Sequence, residues 1–259
     1  MRAGYFEHHP ECLGRVEALW AFRSSERAHH KVLPDGRIDL LTRFKLGRNG
    51  AISNIRLIIA GPAKRFSTVF ADIHTGLLGV RFHPGWGGAC LGIDAAALRE
   101  NVLLGDEAIR SMKGRAEALL RARTIEALRT ALLDTARELA AGVRLDGRFA
   151  RTIAAIELLQ HYEGRCSVEF LARSAEVSVR TLSRNVSDAA GLSVKSLAAV
   201  FRFQKSMRAL RLDPFISLAN LAADAGYSDQ SHMTREFREL GGFTPGSRPN
   251  LPVINIPRS

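Results

Sequence analysis

Apolar and polar positions follow two different patterns along the chain, and the change lies close to residue 94. Before it, short apolar or alternating runs are separated by turns rich in glycine and proline, which is typical of β-strands. The clearest runs are RIDLLTRF from residue 37, AISNIRLIIAG from residue 51 and TGLLGVRFHPG from residue 75. Their length and spacing predict an antiparallel sheet or a small barrel in the N-terminal part of the chain.

After residue 94 the apolar positions recur at helical spacing. The segment DAAALRE begins with an N-cap candidate, Asp94, and continues with strong helix formers. The segment TIEALRTALLDTARELAAG is the clearest amphipathic helix, with Thr124 placed to cap its start and Gly142 placed to end it. The next residues, VRLDGR, are typical of a linker. We therefore predict two domains, residues 1–145 and residues 146–259.

The C-terminal part contains one arrangement twice: a short helix, a turn and a second short helix. The first copy is predicted in SVEFLARSAE and VRTLSRNVSDAAG, the second in SLANLAADAG and QSHMTREFREL. A longer helix, VKSLAAVFRFQKSMRALR, lies between them. The predicted fold class is α+β: a strand-rich N-terminal sheet or small barrel with following helices, then an all-α domain of two helix-turn-helix units joined by a long helix.

In the second unit, Met233, Phe237 and Leu240 are spaced i, i+4 and i+7, which predicts the buried stripe of its second helix. Gly226 suits the left-handed backbone on which the preceding helix ends, and Asp229 or the serine before it can cap the next helix. A short helix held along one face, with polar side chains on the other, is what reading of a DNA major groove requires. The outer side chains are Ser231, His232, Arg235 and Arg238.

The first unit follows the same pattern. Ser178 is placed to cap its second helix, and Leu182 and Val186 are the inner positions. Glu176 stands where the second unit has Gly226, so either the turn differs or Glu176 carries backbone strain. The outer side chains are Arg180, Thr181, Ser183 and Arg184.

Residues 148–249 resemble the paired helix-turn-helix DNA-binding domain of the AraC/XylS transcription regulators. The resemblance lies in SVEFLARSAEVSVRTLSRNV, in GLSVKSLAAVFRFQKSMRAL and above all in SLANLAADAGYSDQSHMTREFRELGGFTP. It implies that the second helix of each unit enters one of two successive major grooves. The base-reading candidates are then Arg180, Thr181, Ser183, Arg184, Ser231, His232 and Arg235. The phosphate-contact candidates are Ser178, Lys195, Lys205, Ser228, Gln230 and Arg238.

The joining helix is expected over residues 194–212. At 1.5 Å per residue it spans roughly 27 Å, which is compatible with grooves roughly 34 Å apart. Some positions differ from the family pattern: glutamate stands at 176 where glycine is usual, and valines stand at 186 and 194 where an aromatic residue and a proline are usual. An Arg-Pro pair at 248–249 replaces the usual closing aromatic-Arg pair.

The N-terminal part resembles a sensor-like domain found before some AraC-type helix pairs. The resemblance covers roughly residues 8–140 and lies in HKVLPDGRIDLL, IAGPAKRF and LLGVRFHPGWGGACLGIDAAALREN. It implies effector binding, dimerisation or both, without naming a ligand. His83 and Trp86, in a glycine-rich loop after a strand, are the effector-site candidates, and simple packing is the alternative role.

Composition narrows the choice of function. The 259 residues carry a formal net charge of +11, which favours a polyanionic partner. The cysteines, Cys12, Cys90 and Cys166, are far apart and form no C-x-x-C pair. Since no phosphate loop, nucleophile elbow or metal-ligand spacing is present, we expect no enzyme activity, no cofactor and no metal. A metal site assembled in space from His74, His83 and Cys90 is the alternative.

The sequence therefore predicts a sequence-specific DNA-binding transcription regulator that responds to an effector. The alternatives are an enzyme of the DNA-repair or redox type fused to a DNA-binding domain, and a DNA-binding protein without an effector. Besides double-stranded DNA, the resemblance allows RNA polymerase, a small-molecule effector and a second copy of the chain as partners. The chain lacks an apolar run of membrane-spanning length and the core of a signal peptide, which predicts a cytoplasmic protein without a membrane partner.

Overall fold

The computed structural model of the protein describes residues 4–9, 14–24, 26–47, 49–247 and the backbone of 253–254. All but the last of its strands precede residue 105. The strands are β1 (Gly4–His8), β2 (Val16–Arg23), β3 (Ala28–Val32), β4 (Asp39–Leu46), β5 (Ile52–Ala60), β6 (Ser67–Ala71), β7 (Thr75–Phe82), β8 (Val102–Leu104) and β9 (Val253–Ile254). The helices are α1 (Gly87–Leu91), α2 (Asp106–Ser111), α3 (Glu117–Arg121), α4 (Ile125–Ala141), α5 (Gly147–His161), α6 (Val168–Ser174), α7 (Val179–Ala190), α8 (Val194–Leu212), α9 (Leu218–Ala225) and α10 (Gln230–Gly241).

Six strands form one antiparallel sheet in the order β1-β2-β7-β4-β5-β8. Every residue of β7, from Thr75 to Phe82, is buried because both faces of the sheet are covered there. Leu78, Val80 and Phe82 alternate onto the face that packs against the helices, whereas Leu77 lies on the opposite face. The predicted antiparallel sheet is confirmed.

A smaller sheet, in the order β6-β3-β9, accompanies the larger one. The strand β3 pairs antiparallel with β6 and parallel with β9. In the parallel pairing, Lys31 lies opposite Val253 and Val32 lies opposite Ile254. Residues 253–254, which follow the helical part in sequence, therefore pair with a strand of the N-terminal part.

The helices begin at the capping residues that the sequence indicates. Thr124 caps α4, Ser178 caps α7 and Ser217 caps α9, each by accepting an amide N–H on its side-chain oxygen. Asp229, rather than the serine before it, caps α10. The joining helix α8 covers Val194–Leu212, as predicted. None of the helices in the described part of the chain has both the length and the apolar character needed to cross a membrane.

Two segments between the sheet and α2 differ from the prediction. The residues from Asp94 to Glu100 form a run of turns rather than a helix. The amide of Glu100 donates to Pro62 O at 3.0 Å, and a Cβ on Gly61 would lie only 1.8 Å from Leu98 O. This tight contact with the loop after β5 prevails over the helix propensity of the segment. The glycine-rich segment before it, expected to be a turn, contains the short helix α1.

The apolar core continues from the N-terminal part into the first helix-turn-helix unit. Buried residues of the sheet, α1 and α4 belong to the same cluster as Ile153 and Ile156 of α5 and Leu182 of α7. The second unit has its own cluster, to which the N-terminal part contributes Leu33. The predicted domain boundary falls in the connection between α4 and α5, and the division into residues 1–145 and 146–259 remains a prediction.

The turns of the two helix-turn-helix units have the same backbone geometry, although one contains glutamate and the other glycine. Glu176 has a φ of 55° and Gly226 a φ of 83°, so both lie in the left-handed region. Val177 and Tyr227, which follow them, each donate to a carbonyl of the preceding helix, at 3.0 Å and 2.9 Å. Of the two possibilities left open by the sequence, the strained glutamate is therefore the one observed.

We expect Glu176→Gly to raise the free energy of unfolding by about 0.5–1 kcal/mol, because relief of the left-handed strain exceeds the entropy that glycine adds to the unfolded chain. Gly226→Ala is the opposite change and should lower it by about 1–2 kcal/mol or more. Its Cβ would also lie 2.6 Å from Arg165 Cγ. Denaturant unfolding of the full-length protein measures both effects. A Glu176→Gly variant that is no more stable than the parent would contradict the strained turn.

Candidate nucleic-acid interface

The outer side of α7 carries the largest reading candidates of the first unit. Leu182 and Val186 are 1% and 2% exposed and anchor the helix in the core. Arg180 and Arg184 lie on the solvent side and are exposed. An exposed arginine on a rigidly anchored helix can donate two hydrogen bonds to the edge of a guanine.

The smaller candidates of the first unit lie closer to the protein. The hydroxyl of Ser178 accepts the Thr181 amide at 3.1 Å, and the two hydroxyl oxygens are 2.9 Å apart. Thr181 and Ser183 are half-buried. Because Ser178 and Thr181 already take part in capping the helix, the two arginines are the stronger reading candidates on α7.

The helix α10 repeats this arrangement in the second unit. Met233 and Phe237 are both 0% exposed, and Leu240 completes the buried stripe. Ser231 and Arg235 lie on the outer side and are exposed. The structure thus places them together on one face of α10, as the spacing predicts. The phosphate-contact candidates Ser228, Gln230 and Arg238 are also exposed at this helix.

His232 differs from the other candidates because its ring has neighbours within the protein. Its Nδ1 lies 3.2 Å from the Ser228 hydroxyl, and its Nε2 lies 3.4 Å from the Glu236 carboxylate. The ring also packs edge-on against Tyr227, with 5.4 Å between the ring centroids. The amide of His232 donates to Asp229, and this bond holds the pKa of the Asp229 carboxyl below its usual value. Base reading by His232 would require the imidazole to exchange these partners for a base.

The cations of α8 are used largely within the protein. Lys205 Nζ lies 2.7 Å from the Glu163 carboxylate and donates to Asp224 O at 2.8 Å. Arg208 lies 3.6 Å from the same carboxylate. Lys195, near the start of α8, is exposed. A phosphate contact by Lys205 would have to compete with its present partners, so Lys195 provides the cleaner test of such contacts on this helix.

A half-buried ion pair that the sequence did not indicate joins α8 to α10. Arg202 Nη2 donates to Glu236 Oε1 at 2.7 Å, and the two side chains are 15% and 14% exposed. The other guanidinium nitrogen donates to Gly164 O at 3.1 Å, and the group lies over the Tyr227 ring. In the sequence, Glu236 simply follows the reading candidate Arg235. The spacing of residues within α10 does not indicate that Glu236 has a partner on another helix. The pair holds α10 at a defined orientation on α8, since removal of either partner would leave the other charge half-buried without this counterion.

The two N-terminal candidates have different surroundings. His83 lines a cavity of about 760 Å³ between the N-terminal strands, α5 and α8, and burial lowers the pKa of its imidazole. Trp86 is buried and packs edge-on against Phe149 of α5, with 5.4 Å between the ring centroids. The Arg15 guanidinium covers the Trp86 ring at 4.8 Å. Trp86 therefore packs the N-terminal part against α5, while His83 faces the cavity.

The described cysteines do not form a reactive or metal-binding group. Burial raises the pKa of the Cys90 thiol to about 12 and also raises the pKa of Cys166, so both are poor nucleophiles at neutral pH. Cys12 lies outside the described residues. Within the described part of the chain no three His, Cys, Asp or Glu residues are grouped to hold a metal ion. The alternative metal site of His74, His83 and Cys90 is therefore not formed.

Comparison with known proteins gives two family matches. Residues 171–247 match the model described as a helix-turn-helix domain, and residues 10–103 match a domain of unknown function, DUF6597. No curated protein sequence matches the chain. Among solved structures, the chain is similar to ToxT from Vibrio cholerae O395, at 12% identity and a TM-score of 0.44, over 88% of this chain and 95% of that one. Unsaturated fatty acid-bound wild-type ToxT from strain SCE256 matches at 11% identity and a TM-score of 0.43, over 95% of each chain.

The C-terminal part of the protein is a helix-turn-helix DNA-binding domain. It is of the AraC type, because two such units of the same geometry are joined by one long helix, α8. The sequence resemblance is thereby confirmed, and the N-terminal part is a distinct domain that matches a separate family.

Substitutions on α10 and α8 should separate base reading from charge attraction. We expect Arg235→Ala to flatten the preference at one base position by about 1–3 kcal/mol, because a bidentate contact to guanine is lost. Lys195→Ala should weaken all sequences alike and reduce the slope of log affinity against log salt by about one unit. Binding of both variants to single-base operator variants at several salt concentrations measures this. A uniform loss for Arg235→Ala, with every base preference intact, would make Arg235 a phosphate contact.

Proposed function

We propose that the protein is a sequence-specific transcription regulator that reads two successive major grooves and responds to a small-molecule effector. The observation that carries this proposal is the presence of two recognition helices, α7 and α10, each anchored by a buried stripe with exposed arginines on the other side. The 19-residue helix α8 separates them. A net charge of +11 supports a polyanionic partner.

We propose no catalytic role for the chain. The protonated thiols of Cys90 and Cys166 do not support the alternative of an alkyl acceptor or redox enzyme. We place the regulator in the cytoplasm because its proposed partner is DNA. RNA polymerase and a second copy of the chain are further partners in this proposal, as expected for a regulator that binds next to promoters.

Selection of binding sites from random duplex DNA with the full-length protein tests the main proposal. We expect enrichment of a bipartite site whose two parts lie about 10 base pairs apart, centre to centre, because each recognition helix occupies one major groove of the same face. Arg184→Ala should weaken the base preferences in one part of the site, and Arg235→Ala should weaken those in the other part. Two results would count against two-groove reading. One is that no sequence is enriched at moderate salt. The other is that the enriched site has only one part and that one of these substitutions does not change its base preferences.

The cavity that His83 lines is the proposed effector site. It lies where a ligand would touch both domains: Arg37 and His83 belong to the N-terminal domain, Glu157 and His161 to α5, and Arg208 to α8. Its charged groups of both signs favour a small polar molecule that carries acidic and basic groups. A second cavity of about 550 Å³ lies within the N-terminal domain and is more apolar.

Thermal-shift measurements with a panel of amino acids, amino sugars and organic acids test this site. We expect a ligand that raises the Tm of the full-length protein to raise the Tm of Arg208→Ala much less, because the substitution removes one charged group that contacts the ligand. Arg65→Ala is the matched control, since Arg65 lines the second cavity. The opposite result, with loss only in Arg65→Ala, would place the effector in the second cavity instead.

A further inference from the structure

Both recognition helices end against the N-terminal domain. Each has 12 residues, and their C-caps, Gly191 and Gly242, have φ values of 71° and 69°. A Cβ on Gly191 would lie 2.4 Å from Ala95 O, and a Cβ on Gly242 would lie 2.2 Å from the Phe66 ring. The N-terminal domain therefore approaches the two units at equivalent positions and so closely that only glycine fits.

The last carbonyl groups of α10 are bonded to this domain. Phe66 N–H donates to Leu240 O at 2.8 Å, and Lys31 Nζ donates to Gly241 O at 2.8 Å. Lys31 is only 6% exposed. Its ammonium lies 3.8 Å from the centroid of the Phe66 ring and 5.2 Å from that of Phe243. A cation is favoured at this position because the C-terminus of a helix carries partial negative charge.

Within the described residues, the Lys31 ammonium is surrounded by the end of α10 and two aromatic rings. Among the described residues, no carboxylate lies within ion-pair distance of this ammonium, and its partners are the Gly241 carbonyl and the two aromatic rings. Burial of an ammonium without a counterion is costly in free energy. The hydrogen bond to the carbonyl and the two cation–π contacts offset part of this cost. The lysine thus links β3 of the N-terminal domain to the end of one recognition helix.

Arg99 has the corresponding position at α7. Its Nε donates to Gly191 O, and its Nη2 donates to the Ser187 hydroxyl at 3.2 Å. Arg99 is exposed, so solvent weakens its contribution relative to that of the buried Lys31. Each recognition helix is nevertheless held at its C-terminal end by a cation of the N-terminal domain.

The reading candidates lie towards the other end of the same helices. Arg180 and Arg184 fall in the first half of α7, and Ser231 and Arg235 fall in the first half of α10. Residues near the N-terminus of a recognition helix are those that contact base edges. The N-terminal domain and DNA therefore use opposite ends of each helix and can be bound at the same time.

We propose that Lys31, assisted by Arg99, is a positioning residue for DNA recognition. By fixing the C-terminal ends of α10 and α7 on one rigid domain, these cations set the angle between the recognition helices and hence the spacing of half-sites that the protein accepts. The proposal rests on the proposed function in that both helices must read DNA.

The test measures binding of the full-length protein to its selected bipartite site, with one or two base pairs inserted or removed between the half-sites. We expect Lys31→Met to lose about tenfold in affinity on the best spacing and to discriminate less between spacings, because α10 is no longer held by the charged hydrogen bond. Binding to an isolated second half-site and the base preferences within it should stay unchanged. Lys31→Arg, which keeps a charged donor, should restore part of the spacing preference, and Arg99→Met should act in the same direction but more weakly.

Lys64→Met is the matched control. It removes the same charge two residues before Phe66, and Lys64 forms no hydrogen bond or ion pair with the described residues. A Lys31→Met protein with the parent's affinity and spacing profile would overturn the proposal. So would a proportional loss on the isolated half-site, since that result would mean damage to the second unit itself. If the unmodified protein bound no duplex or ignored spacing, the proposed function would fail rather than the role of Lys31.

Discussion

The apolar core shared by the N-terminal domain and the first helix-turn-helix unit is the constraint on which the rest of the structure depends. A Cβ on Gly85 would lie 2.8 Å from Ile156 Cδ1, and Trp86 packs on Phe149, so the loop after β7 is pressed directly onto α5. Separation would expose several large apolar side chains, at roughly 1.5–3 kcal/mol each. The N-terminal domain and the first unit therefore behave as one body.

The second unit is attached to that body by fewer and more polar contacts. Lys31 and Phe66 hold the end of α10, and Gln204 of α8 donates to Pro34 O at 2.6 Å. Leu33 is the buried apolar residue that the N-terminal domain adds to its core. Relative motion of the two recognition helices thus costs least at this attachment, because few apolar contacts have to be broken.

The proposed effector cavity lies between the N-terminal domain and α8, the helix that joins the two helix-turn-helix units. Arg208, which lines it, belongs to α8, and α8 is joined to α10 by the half-buried pair of Arg202 and Glu236. A ligand in the cavity would contact the N-terminal domain and α8 together and would favour one arrangement of the two. Differential contact with two arrangements is the physical requirement for a ligand to change DNA affinity.

The packing of the helices also decides which basic side chains form ion pairs within the protein. The excess of basic residues indicates a polyanionic partner, yet Arg202 and Lys205 of the joining helix pair with Glu236 and Glu163. The exposed arginines of α7 and α10 are the ones that we propose for DNA contact. A count of charges cannot separate these groups, because an ion pair between two helices depends on how they pack and not on the spacing within either one.

Local signals in the sequence by themselves determined the helices of the two helix-turn-helix units and the helix that joins them. The caps Ser178 and Asp229, the apolar stripe of Met233, Phe237 and Leu240 and the bounds of α8 all depend on neighbours within a few residues, so pattern is sufficient to predict them. The same applies to the outer faces of the recognition helices and to the antiparallel strands.

Only the tertiary structure decided the features that join distant segments. The turns after Asp94 replace a locally favoured helix because Gly61 and Pro62 press against them. The hydrogen bond from Lys31 to Gly241 O joins residues that lie far apart in the sequence. Nothing in the sequence of β3 indicates that Lys31 has a partner on a distant helix. Such contacts arise from the packing of two domains, and periodicity within either domain carries no information about them.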